Sequence, residues 1–388
     1  MQDAGRKSHC FCGIATFAPM SSNVEILPLA DWLPTGGKPL VIAGPCSAES
    51  EEQLLRTARM IAEIPEVKVL RAGIWKPRTR PGEFEGVGEP GLQWLTKVKK
   101  QTGLLTTVEV AKPAHVELAL KHHVDILWLG ARTVVNPFNV QEIADAIQGH
   151  DIPVMVKNPL TPDIKLWLGA IERIHAAGIH KIIAIHRGFH YFEKSPFRNA
   201  PMWEIPIELK RILPSIPIIS DPSHICGKRE LLKPISQKAL DLEMDGLMIE
   251  SHFEPEHALT DAEQQITPTN LALLLGQLVF RHKKGDIDFQ NKLEGLRTEI
   301  DKLDGELLQI LGKRMEIIDE IGDYKKENDI TILQMKRWAG IISDRLSIGI
   351  HLGLREQFLK TLLTVIHKES LQRQADIFTK KKKKPEGK

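Results

Sequence analysis

Lys38–Ser50 reads KPLVIAGPCSAES, a short apolar run stopped by Gly-Pro-Cys-Ser and followed at once by acidic, helix-favouring residues. A run that is apolar throughout, rather than alternating, suits a strand buried on both faces, as in a parallel sheet. The same figure recurs down the chain. PLVIAG, VKVLRAG, LLTTVEV, DILWLGA, IPVMVKN, KIIAIHRG, IPIISDPSH and GLMIESH alternate with amphipathic segments such as AESEEQLLRTARMIAEI and KPAHVELALKHH. Eight βα units in about 245 residues predict an α/β TIM (β/α)8 barrel over residues 38–281. An open doubly wound sheet is the alternative.

Beyond RHKKGDIDF the strand pattern stops. LEGLRTEIDKLDGELLQILGKRMEIIDEIGDYKK, Leu293–Lys326, carries apolar residues at three- and four-residue intervals, a length that needs a partner along it. The reading is a linker at 282–288 and a separate all-α helical domain at 289–378. Residues 1–37 read as a loosely ordered leader without a signal-peptide core, and 379–388 as a solvated basic tail.

The chain has 52 basic and 50 acidic residues, a net charge of +2, which selects no polyanionic partner. Four cysteines, at 10, 12, 46 and 226, are too sparse for a disulfide scaffold and suit a reducing compartment. The most apolar stretch, LALLLGQLVF, is shorter than the ~20 residues that span a bilayer. A cytoplasmic enzyme without nucleic-acid or membrane partners is the expectation.

In a barrel of this kind the C-terminal strand ends carry the chemistry. Read in order, they offer Cys46, Arg71 with Lys76 and Arg78, Glu109, Arg132, Lys157, Arg187, His224 and Glu250. One arginine on a barrel rim is ordinarily a salt bridge. Four arginines and two lysines on one rim repel one another unless an anion belongs there, which points to a phosphate- and carboxylate-bearing ligand. Cys46, His224 and Glu250 end three adjacent strands, and Asp261 follows in the loop LTDAEQQ. Singly each reads as structural. Together a soft thiolate, an imidazole and two carboxylates suit a divalent metal ion: manganese, iron, cobalt or zinc. A cysteine nucleophile is the other reading, but no dedicated base accompanies it.

The stretches AGPCSAES, RAGIWKPRTRPGEFEG, LGAR, VMVKNP, HRGF, SDPSH and MIESHFEPEHALTDAEQQ resemble 3-deoxy-D-arabino-heptulosonate 7-phosphate (DAHP) synthase, the first enzyme of the shikimate pathway. The similarity is to its short-barrel class, shared with 3-deoxy-octulosonate 8-phosphate synthase. It implies a metal-dependent condensation of phosphoenolpyruvate with erythrose 4-phosphate that releases phosphate. It also implies Cys46, His224, Glu250 and Asp261 as metal ligands, and Lys76 on the phosphoenolpyruvate carboxylate. Arg71, Arg132, Lys157 and Arg187 are implied on its phosphate, and Arg78 and Thr79 on the phosphate of the erythrose. Glu109 is a candidate to orient water. The octulosonate synthases carry an asparagine-containing loop where this chain reads KPRT, and remain the alternative for the barrel. Metal-independent members have asparagine where this chain has Cys46.

LRTEIDKLDGELLQILGKR, IGDYKKEN and HKESLQRQ resemble the all-helical class of chorismate mutase. The resemblance implies Arg297, Arg314, Lys325 and Arg337 as the cationic grip on chorismate, with Ser370 and Gln374 as polar partners. Trp338 stands where a glutamate is expected and Gln334 where an acidic residue is common. A silent regulatory or dimerisation module is the alternative. The fusion also leads us to expect prephenate or chorismate as feedback effector. A homodimer through the helical domain is expected, with Arg297 acting in trans, and a higher homo-oligomer stays open.

Overall fold

A computed structural model of the chain describes residues 24–33, 35–77, 82–192, 195–281, 287–333 and 335–379; for 287–288, 335–339 and 341 it describes the backbone alone. Two compact units divide it, residues 1–283 and 284–388.

The first unit holds eight parallel strands: β1 (Leu40–Gly44), β2 (Val67–Arg71), β3 (Leu105–Val110), β4 (Ile126–Leu129), β5 (Val154–Lys157), β6 (Ile182–His186), β7 (Ile218–Ser220) and β8 (Gly246–Glu250). They pair in sequence order, and β1 also pairs with β8, Leu40 opposite Gly246 and Gly44 opposite Glu250. That closure excludes the open sheet. Amphipathic helices follow because their starts are written locally: Ser50 Oγ, for example, accepts from Gln53 N at 3.1 Å and opens Glu51–Ala62. Gly44 has φ +147°, and a Cβ there would collide with the carbonyl oxygen of Arg71. A glycine is therefore required where the first two strand ends approach each other.

Two apolar layers result. One lies between strands and helices; the other fills the barrel interior with Leu40, Ile42, Val69, Trp128, Met155 and their neighbours. The interior layer also includes Leu33, which is 4% exposed, with Leu29 and Trp32 packed against it. Part of the stretch expected to be a loose leader thus reaches the core: Leu33 is one of the interior cluster's buried residues, and Leu29 and Trp32 of the short helix Leu29–Trp32 pack against that cluster. The apolar side chains that do this are too few to make a periodic signal in the sequence. Cys10 and Cys12 lie outside the described residues, as does the basic run from Lys380.

The second unit is three helices, Ile287–Glu327, Met335–His351 and Glu356–Thr379. The first has 41 residues and is about 60 Å long at 1.5 Å per residue. It packs against the last helix, where Gly322 faces Ile377 and Gln374, and Arg373 grips Asp319 with two hydrogen bonds of 2.8 and 2.5 Å. Leu296, Ile300, Leu303, Leu307 and Ile310 follow a four–three spacing along the long helix and are 50–63% exposed. No helix among the described residues is long and apolar enough to cross a membrane.

Candidate active sites

Strand ends 44, 71 and 250 are neighbours in the barrel, so residues far apart in sequence meet at its C-terminal mouth. Cys46 Sγ lies 3.2 Å from Asp261 Oδ2 and 3.0 Å from Lys76 Nζ. Cys46, Glu250 and Asp261 each offer a ligand atom, all within 4.8 Å of one another. Burial, followed by the Glu250 carboxylate, pushes the Cys46 thiol up to about 12, so without a cation it is protonated and a poor nucleophile. Glu250 is fully buried; its Oε1 lies 3.2 Å from Arg71 Nη2 yet receives no well-aligned hydrogen bond. One soft sulfur, two carboxylates and an orphaned carboxylate oxygen fit a divalent transition cation.

His224 stands beside this triad. Its Nε2 is 3.8 Å from Glu250 Oε1, while Nδ1 lies 2.8 Å from Asp221 Oδ2. Asp221 caps the helix Pro222–Cys226 by accepting from His224 N at 3.1 Å, and its other oxygen meets Lys157 Nζ at 2.9 Å. Burial alone would raise the Asp221 carboxyl, but the charges of His224 and Lys157 hold it well below the carboxylate range. Arg187 is 7% exposed and donates to Asn199 Oδ1 at 2.7 Å. Burial brings its guanidinium down to about 10, an effect to which Arg198 and Arg132 add. Arg71 is 1% exposed with Nε and Nη1 unpartnered. A buried guanidinium with unspent donors suits an anion. Glu109 Oε2 accepts from Trp128 Nε1 at 3.2 Å, and a Cβ on Gly130 would strike Oε1.

In the helical unit a pocket of about 830 Å³ is lined by Arg314, Lys325, Arg345, His367, Ser370 and Gln374, with Glu320, Tyr324 and apolar side chains around them. Arg314 Nη1 donates to Ser370 Oγ at 2.7 Å, and Lys325 Nζ to Gln374 Oε1 at 3.1 Å. Among the described residues Arg297 pairs with Glu294 of its own helix, at 3.6 Å, and its side chain is 63% exposed.

The family model for DAHP synthetase I matches residues 30–281. The chain belongs to the DAHP synthetase I family. Residues 296–375 match the model for chorismate mutase type II. A phospho-2-dehydro-3-deoxyheptonate aldolase of Thermotoga maritima is 35% identical over 241 residues, 62% of this chain and 69% of that protein. The crystal structure of the Thermotoga enzyme superimposes with a TM-score of 0.56 at 32% identity, covering 62% of this chain and 68% of that one. A 2-dehydro-3-deoxyphosphooctonate aldolase of Geobacter metallireducens is 28% identical over 275 residues, covering 63% of this chain and 92% of that protein. The protein is therefore an enzyme of two activities in aromatic biosynthesis, a DAHP synthase barrel fused to a chorismate mutase.

Of the residues singled out in the sequence, the synthase barrel brings Cys46, Arg71, Lys76, Glu250 and Asp261 together, with Lys157 and His224 joined to them through Asp221. Lys76 faces the thiol, and Arg132 is exposed on the rim. Arg78, Thr79 and Gln334 lie outside the described residues, as do the side chains of Arg337 and Trp338. Sequence reasoning missed Asp221, Arg198, Asn199 and Gln264, although Asp221 lies inside SDPSH and Gln264 inside TDAEQQ. For those two, membership of a motif was the signal; Arg198 and Asn199 lie in neither motif and had none.

His186 supplies a pH test. It is fully buried at the end of β6, Nε2 donates to Pro201 O at 2.6 Å, and Nδ1 has no partner. Burial drives its pKa down to about 4 from 6.5. Below pH 6.5 the unfolded chain takes a proton that the fold refuses, so stability falls as pH drops from about 6.5 to about 4, by roughly 3 kcal/mol in all. Urea unfolding of His186→Phe should lose less stability over that window than wild type. Equal losses would assign the pH dependence to other groups.

Proposed function

We propose that the barrel condenses phosphoenolpyruvate with erythrose 4-phosphate to DAHP and phosphate with the aid of a divalent cation, and that the helical unit rearranges chorismate to prephenate. The observation carrying the first reading is the meeting of Cys46, Glu250 and Asp261 within 4.8 Å at the barrel mouth, beside Arg71 and Lys76. These three, with His224, would hold manganese, iron, cobalt or zinc. Once bound, the cation supplies Lewis acidity toward the acceptor aldehyde. The protein's own part is placement. Arg71, Arg132, Lys157 and Arg187 hold the phosphate of phosphoenolpyruvate, Lys76 its carboxylate, and Arg78 and Thr79 the acceptor phosphate. The methylene carbon of phosphoenolpyruvate is thereby kept against the aldehyde carbon. Water adds to the phosphate-bearing carbon, oriented by Glu109, and the hemiketal phosphate expels phosphate. The cationic rim stabilises the charge that moves to the leaving oxygens. Metal-replete enzyme should form DAHP from erythrose 4-phosphate; a preference for arabinose 5-phosphate would favour the octulosonate reading that the Geobacter relative represents.

In the helical unit Arg314, Lys325, Arg337, Ser370 and Gln374 of one chain and Arg297 of a second would enclose chorismate. The reaction is unimolecular, so conformation and electrostatics suffice. The dimer is supported by the exposed apolar seam from Leu296 to Ile310, whose four–three spacing suits a coiled-coil partner. The free buried thiols of Cys46 and Cys226 support a cytoplasmic site of action.

Prephenate or chorismate bound in this pocket is proposed to inhibit the barrel, a coupling of roughly 1–3 kcal/mol. Full-length Arg314→Ala should keep the uninhibited synthase rate and lose most of the inhibition by prephenate. Wild-type inhibition in that variant would exclude the helical pocket as sensor.

A further inference from the structure

We infer that Arg198, acting with Gln264, is a positioning residue that aims one oxygen of each acidic donor into the cation site; this rests on the metal reading above. Each carboxylate has two oxygens, and only one can face the cluster. Arg198 Nη1 lies 2.9 Å from Asp261 Oδ1 and 2.8 Å from Gln264 Oε1. Gln264 Nε2 in turn donates to Glu250 Oε2 at 2.5 Å. The oxygens left over are Asp261 Oδ2, 3.2 Å from Cys46 Sγ, and Glu250 Oε1, which has Arg71 Nη2 at 3.2 Å but receives no aligned hydrogen bond. One guanidinium nitrogen thus pins the outward oxygen of Asp261 directly and that of Glu250 through an amide. The inward pair stays available.

The bracket is itself well held. Backbone hydrogen bonds from Arg198 N to Cys226 O (3.3 Å) and Asn199 N to Ile225 O (3.1 Å) tie the segment to the helix after β7. Gly227 has φ +68°, and a Cβ there would lie 2.6 Å from Arg198 Cβ and 3.0 Å from Cδ, so the stem of the arginine packs on bare backbone. On the other side, Arg229 donates to Gln265 O at 2.6 Å and Ala262 O at 2.8 Å, clamping the loop. Asp261 needs such support because it sits at φ +50°, a left-handed conformation that non-glycine residues seldom adopt.

Two effects of Arg198 oppose each other. Its charge repels a cation, whereas its hydrogen bonds preorganise two donors. Repulsion is blunted because the guanidinium is paired with Asp261 on the side away from the cluster, and preorganisation acts on both carboxylates. Preorganisation therefore prevails, and outer-shell partners of this sort are worth ten- to hundredfold in metal affinity.

The test is calorimetric titration of Mn²⁺ into full-length protein stripped of metal. Arg198→Ala should bind Mn²⁺ ten- to hundredfold more weakly than wild type, and Arg198→Lys, whose ammonium can occupy the place of Nη1, should recover most of the loss. At saturating Mn²⁺, Arg198→Ala should show substrate KM values near wild type. Should Arg198→Ala fail to fold, Gln264→Met reads the same quantity through the Glu250 arm. Equal or tighter Mn²⁺ binding by the variants overturns the inference, as does a raised KM at saturating metal with unchanged Mn²⁺ affinity. Wild-type protein that binds no Mn²⁺ overturns the metal reading itself, a result distinct from either.

Discussion

Excess chelator should take DAHP formation to background, and Mn²⁺ added back should restore it, while chorismate mutase activity in the same sample is untouched. The Cys46→Ala variant should lose roughly a thousandfold or more in synthase rate, because several kcal/mol of charge stabilisation leave with the cation. The structural basis is the company the thiol keeps. Burial and Glu250 push Cys46 up to about 12, so at neutral pH a cation is what would displace its proton. Asp261 lies 3.2 Å away, while His224 is turned toward Asp221 at 2.8 Å and offers Cys46 no base of its own. Full synthase activity in excess chelator would remove the metal from the reading and return Cys46 to a packing role.

Mixing an Arg297→Ala chain with an Arg314→Ala chain should recover about a quarter of wild-type mutase activity from two nearly inactive parents. The two arginines are seventeen residues apart on one helix, roughly 25 Å at 1.5 Å per residue, which is more than chorismate can bridge. Arg314 faces a pocket with Ser370 at 2.7 Å, whereas Arg297 has a side chain 63% exposed and, among the described residues, pairs with Glu294 of its own helix. Antiparallel pairing of two long helices would bring Arg297 of one chain to Arg314 of the other and cover the seam from Leu296 to Ile310. Random pairing makes half the dimers mixed, and each mixed dimer has one intact site and one doubly damaged site. Absence of recovery after demonstrated subunit exchange would mean that each site is built within one chain.

The barrel was legible in the sequence because a buried parallel strand has to be apolar on both faces. LVIAG, IIAIH and GLMIE could be nothing half-exposed. The long helix was legible for the complementary reason, a three-to-four spacing kept up from Leu293 to Lys326. Less was legible where a few contacts decide. Helix Leu29–Trp32 has four residues and no periodic pattern, yet with Leu33 it joins the apolar layer of the barrel interior.

Residue types at the strand ends also followed from the sequence, since a TIM topology turns strand order into a ring, so that Cys46, Glu250 and the rim cations could be assigned to one mouth before any distance was known. Only the tertiary structure decided how they face one another. Cys46 and Asp261 are 215 positions apart, and their 3.2 Å contact depends on the closure of β1 on β8 and on a left-handed turn at Asp261. The same holds for Arg198, which reaches over from a distant loop, and for Gln264 of Asp261's own loop; together they choose which carboxylate oxygen turns inward. Sequence patterns report what a residue's own backbone segment requires of its environment. Which atom of which side chain meets another is set by packing and by competition for hydrogen bonds among segments that meet only when the ring has closed.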